Sequence, residues 1–186
     1  EGVPRATFKS FWGSREFWQP TRLTSDVSPD SFDHLIVCPT IFQEYIDGIM
    51  DIRVIVIDDA VEAAAFDLSQ SRYPIDVRVD TRLSASTYHL NEEIAAKLKA
   101  FMSAAGLRFG AFDLRQKEDG TLVFFEINPM GQFLYLDRLA GTKVARLLAT
   151  ALTETSMDRI QEQAVAPDND GWLDAERVPF AALAPP

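Results

Sequence analysis

The stretch GAFDLRQKEDGTLVFFEINPMGQ, residues 110–132, decides how the rest of the chain is interpreted. It predicts two strands joined by a tight turn, because Asp119-Gly120 lies between two apolar runs and is typical of a two-residue hairpin loop. With these two residues as the loop, Glu118 pairs with Thr121. The whole register of the hairpin then follows from this one pair.

Acidic side chains are expected to meet across this hairpin. Counting back from the turn places Asp113 opposite Glu126, and the alternation of strand side chains adds Arg115 and Asn128 to the same face. Two carboxylates in opposed positions repel each other, so they favour a bound cation. Two carboxylates and an amide oxygen suit Mg²⁺. The alternative is an ordinary amphipathic hairpin whose acidic face is solvated.

Composition limits the classes of function. The chain has 186 residues, 47% of them hydrophobic, and a net charge of −10, which argues against general nucleic-acid binding. A single cysteine, Cys38, excludes an intrachain disulfide and fits a reducing compartment. No apolar run approaches the roughly 18 residues of a membrane span, and the N-terminus has no signal-peptide pattern.

The remaining pattern predicts a mixture of strands and helices. A second hairpin is expected around the turn Asp58-Asp59, and the clearest helix covers 91–105, with Asn91 as its N-cap. Long aperiodic stretches are interpreted as irregular or lid-like. The other predicted segments are strands at 5–9 and in 38–46, helices at 134–140 and 143–154, irregular chain at 10–31 and 67–89, and a tail at 156–186.

Several polar residues stand out, and each has an ordinary interpretation. Lys9, at the end of a strand, is either a solvated edge residue or a phosphate ligand. Asp51 and Arg53 share a strand face and form either a surface ion pair or part of a site. Arg78 lies in PIDVRVD and is either a loop arginine in solvent or a functional one.

Taken in order, the motifs QEYIDG, DIRVIVID, FDLR and FEINPMGQF resemble an ATP-grasp ligase over about residues 5–152. The resemblance implies an α+β ATP-grasp fold with antiparallel sheets and flanking helices. EINPMGQF and PIDVR are similar to motifs of the microviridin or graspetide type of ATP-grasp peptide maturase.

The resemblance also implies roles for individual residues. ATP phosphates would contact Lys9, the adenine and ribose would lie at a hinge, and Arg78 would grip the γ-phosphate or acyl phosphate. Arg115 would face the same site and offset its negative charge, so both arginines are candidate catalytic residues. The implied nucleotide-binding residues are Lys9, Gln43, Glu44, Tyr45, Ile46, Asp51 and Arg53, and the implied Mg²⁺ ligands are Asp113, Glu126 and Asn128.

The implied function is an ATP- and Mg²⁺-dependent carboxylate ligase that works through an acyl phosphate. It would form ester or amide macrocycles on a ribosomal precursor peptide. Two alternatives stay open. One is another carboxylate–amine ligase, similar to those that add glutamate to ribosomal proteins. The other is a non-catalytic nucleotide- or peptide-binding module, which the expected lack of the family's N-terminal domain favours.

The resemblance gives a domain organisation as well. Residues 1–48 would belong to the central ATP-grasp subdomain with a lid-like loop at 10–31, and residues 49–155 would form the C-terminal subdomain. The fold would lack the N-terminal pre-ATP-grasp domain. The expected partners are ATP and a precursor peptide or other carboxylate substrate, without nucleic acid or membrane, in the cytoplasm, with a homodimer as one option for assembly.

Overall fold

A computed structural model describes residues 5–10, 20–36, 40–80 and 82–153. These residues form eight strands and three α-helices, together with short 3₁₀ turns. None of the helices in this part of the chain has the length and apolar character that a membrane span requires. The strands are β1 Ala6–Ser10, β2 Arg22–Leu23, β3 Thr40–Glu44, β4 Met50–Ile57, β5 Ala60–Asp67, β6 Ala85–Thr87, β7 Phe109–Gln116 and β8 Leu122–Asn128, and the helices are α1 Glu92–Ala104, α2 Leu134–Ala140 and α3 Val144–Thr153.

The strands form two sheets. The three-stranded sheet has the order β2-β1-β3, and both outer strands run antiparallel to β1, with Thr7 opposite Leu23 on one side and Gln43 on the other. The five-stranded sheet has the order β6-β5-β4-β7-β8, so two hairpins, β4–β5 and β7–β8, lie side by side, with β4 next to β7. The predicted α+β class with antiparallel sheets is confirmed.

The described residues divide into two compact units that interleave along the sequence. The first unit takes its residues from Glu1–Asp51, Phe66–Leu83 and Arg115–Val123, and the second from Ile52–Ala65, Ser84–Leu114 and Phe124–Pro186. The subdomain boundaries predicted near residues 48 and 155 stay a prediction.

The β4–β5 hairpin supplies much of the core of the second unit. Residues 54–57 of β4 are all almost fully buried, which is the pattern of a strand covered on both faces. Its turn places Asp58 in the left-handed region, with φ of 48°. Arg108 holds that residue through Nε and NH2, each 2.8 Å from a carboxylate oxygen of Asp58.

Helix α1 packs against the β7–β8 hairpin. The Asn91 side chain accepts a hydrogen bond from the amide of Glu93 and caps the helix. Leu98 and Met102 are buried, and the Phe101 ring lies 5.9 Å from Phe112 and 6.5 Å from Phe124. Phe112 of β7 and Phe124 of β8 therefore lie on the face of the hairpin that is turned toward α1.

Asp137 of α2 holds the start of α3. Its carboxylate accepts hydrogen bonds from the Thr142 hydroxyl at 2.6 Å and from the amides of Val144 and Ala145 at 2.9 Å. Burial alone would raise the pKa of Asp137, but the hydrogen bonds from Thr142, Ala145 and Val144 outweigh it and lower this pKa. The first amides of α3 are thus capped by a side chain of the preceding helix, α2.

The turn between β7 and β8 differs from the predicted two-residue loop. Lys117, and not Glu118, pairs with Thr121 through its amide, and the Gly120 amide donates to the Lys117 carbonyl at 3.0 Å. Gly120 alone is left-handed, with φ of 84°, which defines a three-residue loop ending in glycine. The Asp-Gly pair is compatible with both loops, and the longer loop shifts the register at the turn by one residue.

Two stretches that were expected to be irregular contain short regular elements. Residues 20–31 hold β2 and the 3₁₀ turns Thr24–Asp26 and the start of Pro29–Ile36, while residues 11–19 lie outside the described chain. Residues 67–89 hold 3₁₀ turns and the edge strand β6. The predicted tail at 156–186 lies outside the described residues.

Candidate functional site

The predicted site residues fall into the two compact units. Arg53, Asp113, Glu126 and Asn128 belong to the second unit, where they lie on β4, β7 and β8. The other predicted residues belong to the first unit, and these are Lys9, Gln43, Glu44, Tyr45, Ile46, Asp51, Arg78 and Arg115.

Glu126 and Asn128 share a face of the hairpin with Asp113. The prediction derived this from a two-residue turn, whereas in the structure it follows from the position of Ile127. A Cβ added to Gly110 would lie 2.9 Å from the Cδ1 of Ile127, so Ile127 is on the face that points toward α1. Its neighbours Glu126 and Asn128 are exposed on the opposite face, where alternation along β7 also places Asp113.

An extra residue in β8 reconciles this face with the three-residue turn. Phe124 packs edge-on against Phe112 on the α1 face, with 6.3 Å between ring centroids, and Ile127 lies on that face too. In a regular strand, two residues that are three positions apart lie on opposite faces. Phe124 and Ile127 can therefore share a face only if the strand contains one extra residue between them, which is a β-bulge. The bulge offsets the shift at the turn and returns Glu126 to the face of Asp113.

Arg53 forms an ion pair with Asp113. The Arg53 NH1 lies 2.6 Å from Oδ1 of Asp113, with side chains 12% and 34% exposed, and NH2 donates to the Gln132 carbonyl at 3.3 Å. The Arg53 Nε is buried without a hydrogen-bond partner among the described residues. The arginine therefore offsets the charge of one predicted metal ligand and holds the turn that follows β8.

Gly131 allows that turn to fold over the same face. A Cβ at this position would lie 2.4 Å from the Cβ of Ala111 and 2.6 Å from NH2 of Arg53, closer than atoms can approach. The turn itself is stabilised by Asn128, whose Oδ1 accepts from the Met130 amide at 2.9 Å. The turn NPMGQ therefore brings Gly131 against Ala111 and Arg53, and the Asn128 side chain stabilises its start.

The donor set of this face fits a hard cation. Among the described residues, no three His, Cys, Asp or Glu side chains lie together, so a metal here would need further oxygen ligands from outside these side-chain types. The predicted set contains two carboxylates and one amide oxygen, which is the number Mg²⁺ uses when substrate phosphates supply its other ligands. Asp113, Glu126 and Asn128 are therefore of the right chemistry to hold Mg²⁺ together with a phosphate ligand.

Arg115 is the buried centre of the first unit's cluster. Its side chain is 4% exposed, and Nε and NH2 donate to the two carboxylate oxygens of Asp51 at 2.7 and 2.9 Å. NH1 donates to the Ile46 carbonyl at 3.0 Å, and NH2 also donates to the Pro74 carbonyl at 3.1 Å. One guanidinium thus ties the predicted hinge, strand β4 and the PIDVR segment together.

The predicted hinge, residues 43–46, continues from the edge strand β3. The Tyr45 amide donates to the Arg5 carbonyl at 2.9 Å, and the Tyr45 ring lies 4.4 Å below the guanidinium of Arg5. Gln43 and Glu44 are exposed and pair with Thr7 and Ala6, whereas Lys9 lies further along β1. The hinge is therefore held by backbone bonds on one side and by two arginines at its end.

Arg78 lies on a 3₁₀ turn, Val77–Val79, and not in irregular chain. Its Nε and NH2 each lie 2.7 Å from a carboxylate oxygen of Asp76, while the Arg78 side chain stays 49% exposed. Asp76 is buried and was missed as a functional candidate. Its signal in the sequence is an aspartate two residues before the arginine, the spacing at which it also caps the turn.

Comparison with solved structures identifies the fold. A RiPP-associated ATP-grasp ligase of Chryseobacterium gregarium, solved with ADP and a leader and core peptide, matches with a TM-score of 0.66 and 21% identity over 82% of this chain and 49% of that one. The macrocyclase MdnC of Microcystis aeruginosa, solved with its precursor peptide MdnA, matches with a TM-score of 0.65 and 25% identity over 81% of this chain and 50% of that one.

A ligase with a different product shares the fold as well. The D-cycloserine synthetase DcsG matches with a TM-score of 0.55 and 16% identity over 81% of this chain and 55% of that one. No protein-family model and no curated protein sequence matches the chain. The chain spans about half the length of the solved ligases it matches. It has the ATP-grasp fold in the form found in the RiPP-associated ligases, as its motifs predict.

Proposed function

We propose that this chain forms the nucleotide- and metal-binding part of an ATP-dependent ligase that modifies a ribosomal precursor peptide. The observation that carries the proposal is the match to two such ligases, both solved with peptide, over about four-fifths of this chain. The motifs that carry the resemblance include the strand end E-I-N and the D-x-R of β4, which supply Asn128, Asp51 and Arg53 to the contacts described above.

In this proposal the first unit binds ATP. The hinge at residues 43–46 would hold adenine and ribose, with Glu44 accepting hydrogen bonds from the ribose hydroxyls. Lys9 would contact the phosphates. Because Arg115 is buried and donates to Asp51 and to two carbonyls, its contribution would be to fix the hinge, so we assign it a positioning role and leave direct charge stabilisation to Arg78.

The second unit would hold the metal through Asp113, Glu126 and Asn128. A cation held there would supply positive charge that offsets the charge of phosphate groups. A substrate carboxylate would attack the γ-phosphate and release ADP, and Arg78 would stabilise the negative charge on the transferred group. A hydroxyl or amine would then displace phosphate from the acyl phosphate and give an ester or an amide.

A second candidate is a ligase for a small amino-acid substrate, which the match to the D-cycloserine synthetase favours because that enzyme shares the fold. A non-catalytic module that binds nucleotide or peptide is the third. The first candidate is separated from the other two by ADP release that depends on the peptide, together with a decrease in the peptide's mass of one water for each bond formed.

The cytoplasmic location and a homodimer stay predictions.

Calorimetric titration of the purified chain with a non-hydrolysable ATP analogue, with and without Mg²⁺, tests the metal assignment. In the double variant Asp113→Asn, Glu126→Gln we expect the Mg²⁺-dependent part of the affinity to disappear. The matched control is Asp59→Asn, Glu118→Gln, which removes two charges from exposed turn positions of the same sheet. Equal Mg²⁺ dependence in both folded double variants contradicts the assignment.

A further inference from the structure

Asp76 joins two parts of the first unit that the sequence separates. Its carboxylate faces the Arg78 guanidinium through both oxygens, and Oδ2 also accepts a hydrogen bond from the Thr21 amide at 3.0 Å. Only 3% of the Asp76 side chain is exposed. A buried carboxylate with this number of donors is satisfied, so it sets the position of each group that bonds to it.

Thr21 is held from both of its backbone polar groups. Asp76 accepts from its amide, and the Tyr73 hydroxyl donates to its carbonyl at 2.8 Å. Both anchors come from the same short segment, residues 73–78. The backbone around Thr21 and the side chain of Arg78 are therefore attached to one piece of chain, whose start is fixed in turn by the bond from Arg115 to the Pro74 carbonyl.

The charge of Asp76 is preserved by the same contacts. Burial alone would raise the pKa of Asp76, but hydrogen bonds from the Arg78 side chain and the Thr21 amide, with the charge of Arg78, outweigh it and lower this pKa. The carboxylate is thus ionised at neutral pH. An ionised aspartate can accept two parallel bonds from a guanidinium, whereas asparagine has a single acceptor oxygen.

We propose that Asp76 is a positioning residue that fixes the guanidinium of Arg78 and the backbone of Thr21 as one preorganised unit. The inference rests on the proposed function, because it assigns Arg78 to the transferred phosphoryl group. The bidentate contact occupies the Nε edge of the guanidinium, and the side chain stays 49% exposed. An arginine fixed in this way loses little conformational entropy when it meets a phosphate.

The test uses four single variants of the purified chain and one double variant, Asp76→Asn with Arg78→Ala. Asp76→Asn keeps the size of the side chain and removes the second acceptor, and Asp76→Glu keeps the charge but moves the oxygens by one methylene. Arg78→Ala identifies the Arg78 Nε–H signal in a ¹⁵N NMR spectrum by its loss. The matched control is Asp80→Asn, because Asp80 also caps local amides, of Arg72 and Arg82, without holding an arginine side chain.

Two readouts separate positioning from a merely structural role. In the wild type we expect an Nε–H signal of Arg78 that exchanges slowly with solvent, and Asp76→Asn should lose this protection while Asp80→Asn keeps it. ATP turnover in Asp76→Asn should fall about 10-fold to 100-fold, the scale of removing an outer residue that orients a functional one. The KM for ATP should change much less, and the double variant with Arg78→Ala should lose no more than Arg78→Ala alone.

The possible results are distinguishable. The positioning role is overturned if folded Asp76→Asn keeps both the slow exchange of the Arg78 Nε–H and the wild-type ATP turnover. It is also overturned if the two turnover losses multiply in the double variant. If Asp76→Asn does not fold, Asp76→Glu decides, since a normal kcat in that variant is incompatible with a fixed guanidinium geometry. A wild-type chain that neither binds nor hydrolyses ATP overturns the proposed function, and the positioning role with it, whereas normal wild-type turnover that is unchanged in Asp76→Asn overturns the positioning role alone.

Discussion

Replacing Arg115 by methionine should destabilise the first unit strongly. Methionine has a similar length and fills much of the same space, so the change mainly removes charge and hydrogen bonds. Arg115 donates to both carboxylate oxygens of Asp51 and to the carbonyls of Ile46 and Pro74. All of these acceptors lose a donor at once.

The size of the effect follows from burial. Breaking a buried ion pair from one side costs about 3–5 kcal/mol, because the remaining charge is left without compensation. Each carbonyl that loses its donor adds up to about 1–3 kcal/mol where water cannot replace it. Asp51 is 18% exposed, so water reaches part of its carboxylate. These losses share one side chain and do not add fully, so we expect a total of about 4 kcal/mol.

Urea unfolding followed by far-UV circular dichroism measures this change in the free energy of unfolding. Exchange of the Ile49 amide, which bonds to the Gln116 carbonyl, reports on the same region of the chain. The matched control is Arg5→Met, since Arg5 pairs with Asp47 through side chains that are 56% and 77% exposed, and such pairs contribute about 0–1 kcal/mol. A loss below about 1 kcal/mol in Arg115→Met would refute the reasoning from burial.

Three further changes have defined outcomes. Gly131→Ala should lower the melting temperature, because overpacking costs about 1–3 kcal/mol, and adding Ala111→Gly should recover part of the loss by removing the nearest clashing atom. The lowered pKa of Asp137 gives stability that is present above its unfolded value near 3.8 and disappears as the pH falls through the lower folded value, so Asp137→Asn should flatten the acid side of the stability profile. Asp58→Ala should lose about 1 kcal/mol more than Asp58→Gly in urea unfolding, because both lose the pair with Arg108 but only alanine resists a φ of 48°.

Much of the fold could be predicted from local patterns. The β4–β5 hairpin, the cap of α1 by Asn91 and both C-terminal helices depend on neighbours within a few residues, and the structure confirms them. Strand β6 was missed because it has three residues, Ala85–Thr87, too few to show a period. Its status as a strand depends on pairing with β5, which is remote in the sequence.

The sequence predicts which residues of the candidate site lie on strands, but it does not predict which residues they contact. Glu126 lies on the face of Asp113 because a bulge in β8 offsets a longer turn, and no residue pattern distinguishes this pair of changes from a regular hairpin. The partners of Arg115 lie between 41 and 69 residues away, so the sequence cannot show that this arginine is buried and saturated. Asp76 was missed for the related reason that its burial depends on Thr21.

The wide spacing of Arg115's partners has a consequence for folding. A guanidinium can enter a buried position at little cost only when its acceptors are already in place, and these come from β4, the hinge and the PIDVR segment. Contacts over such separations form late, after the local hairpins, because the chain must first lose loop entropy. Until these contacts form, the Arg115 guanidinium stays hydrated, and the Ile46 carbonyl at the end of the hinge lacks its bond to Arg115. The proposed nucleotide-binding edge, at the hinge, is therefore expected to be among the last parts of the chain to become native, and variants there should speed unfolding more than they slow folding.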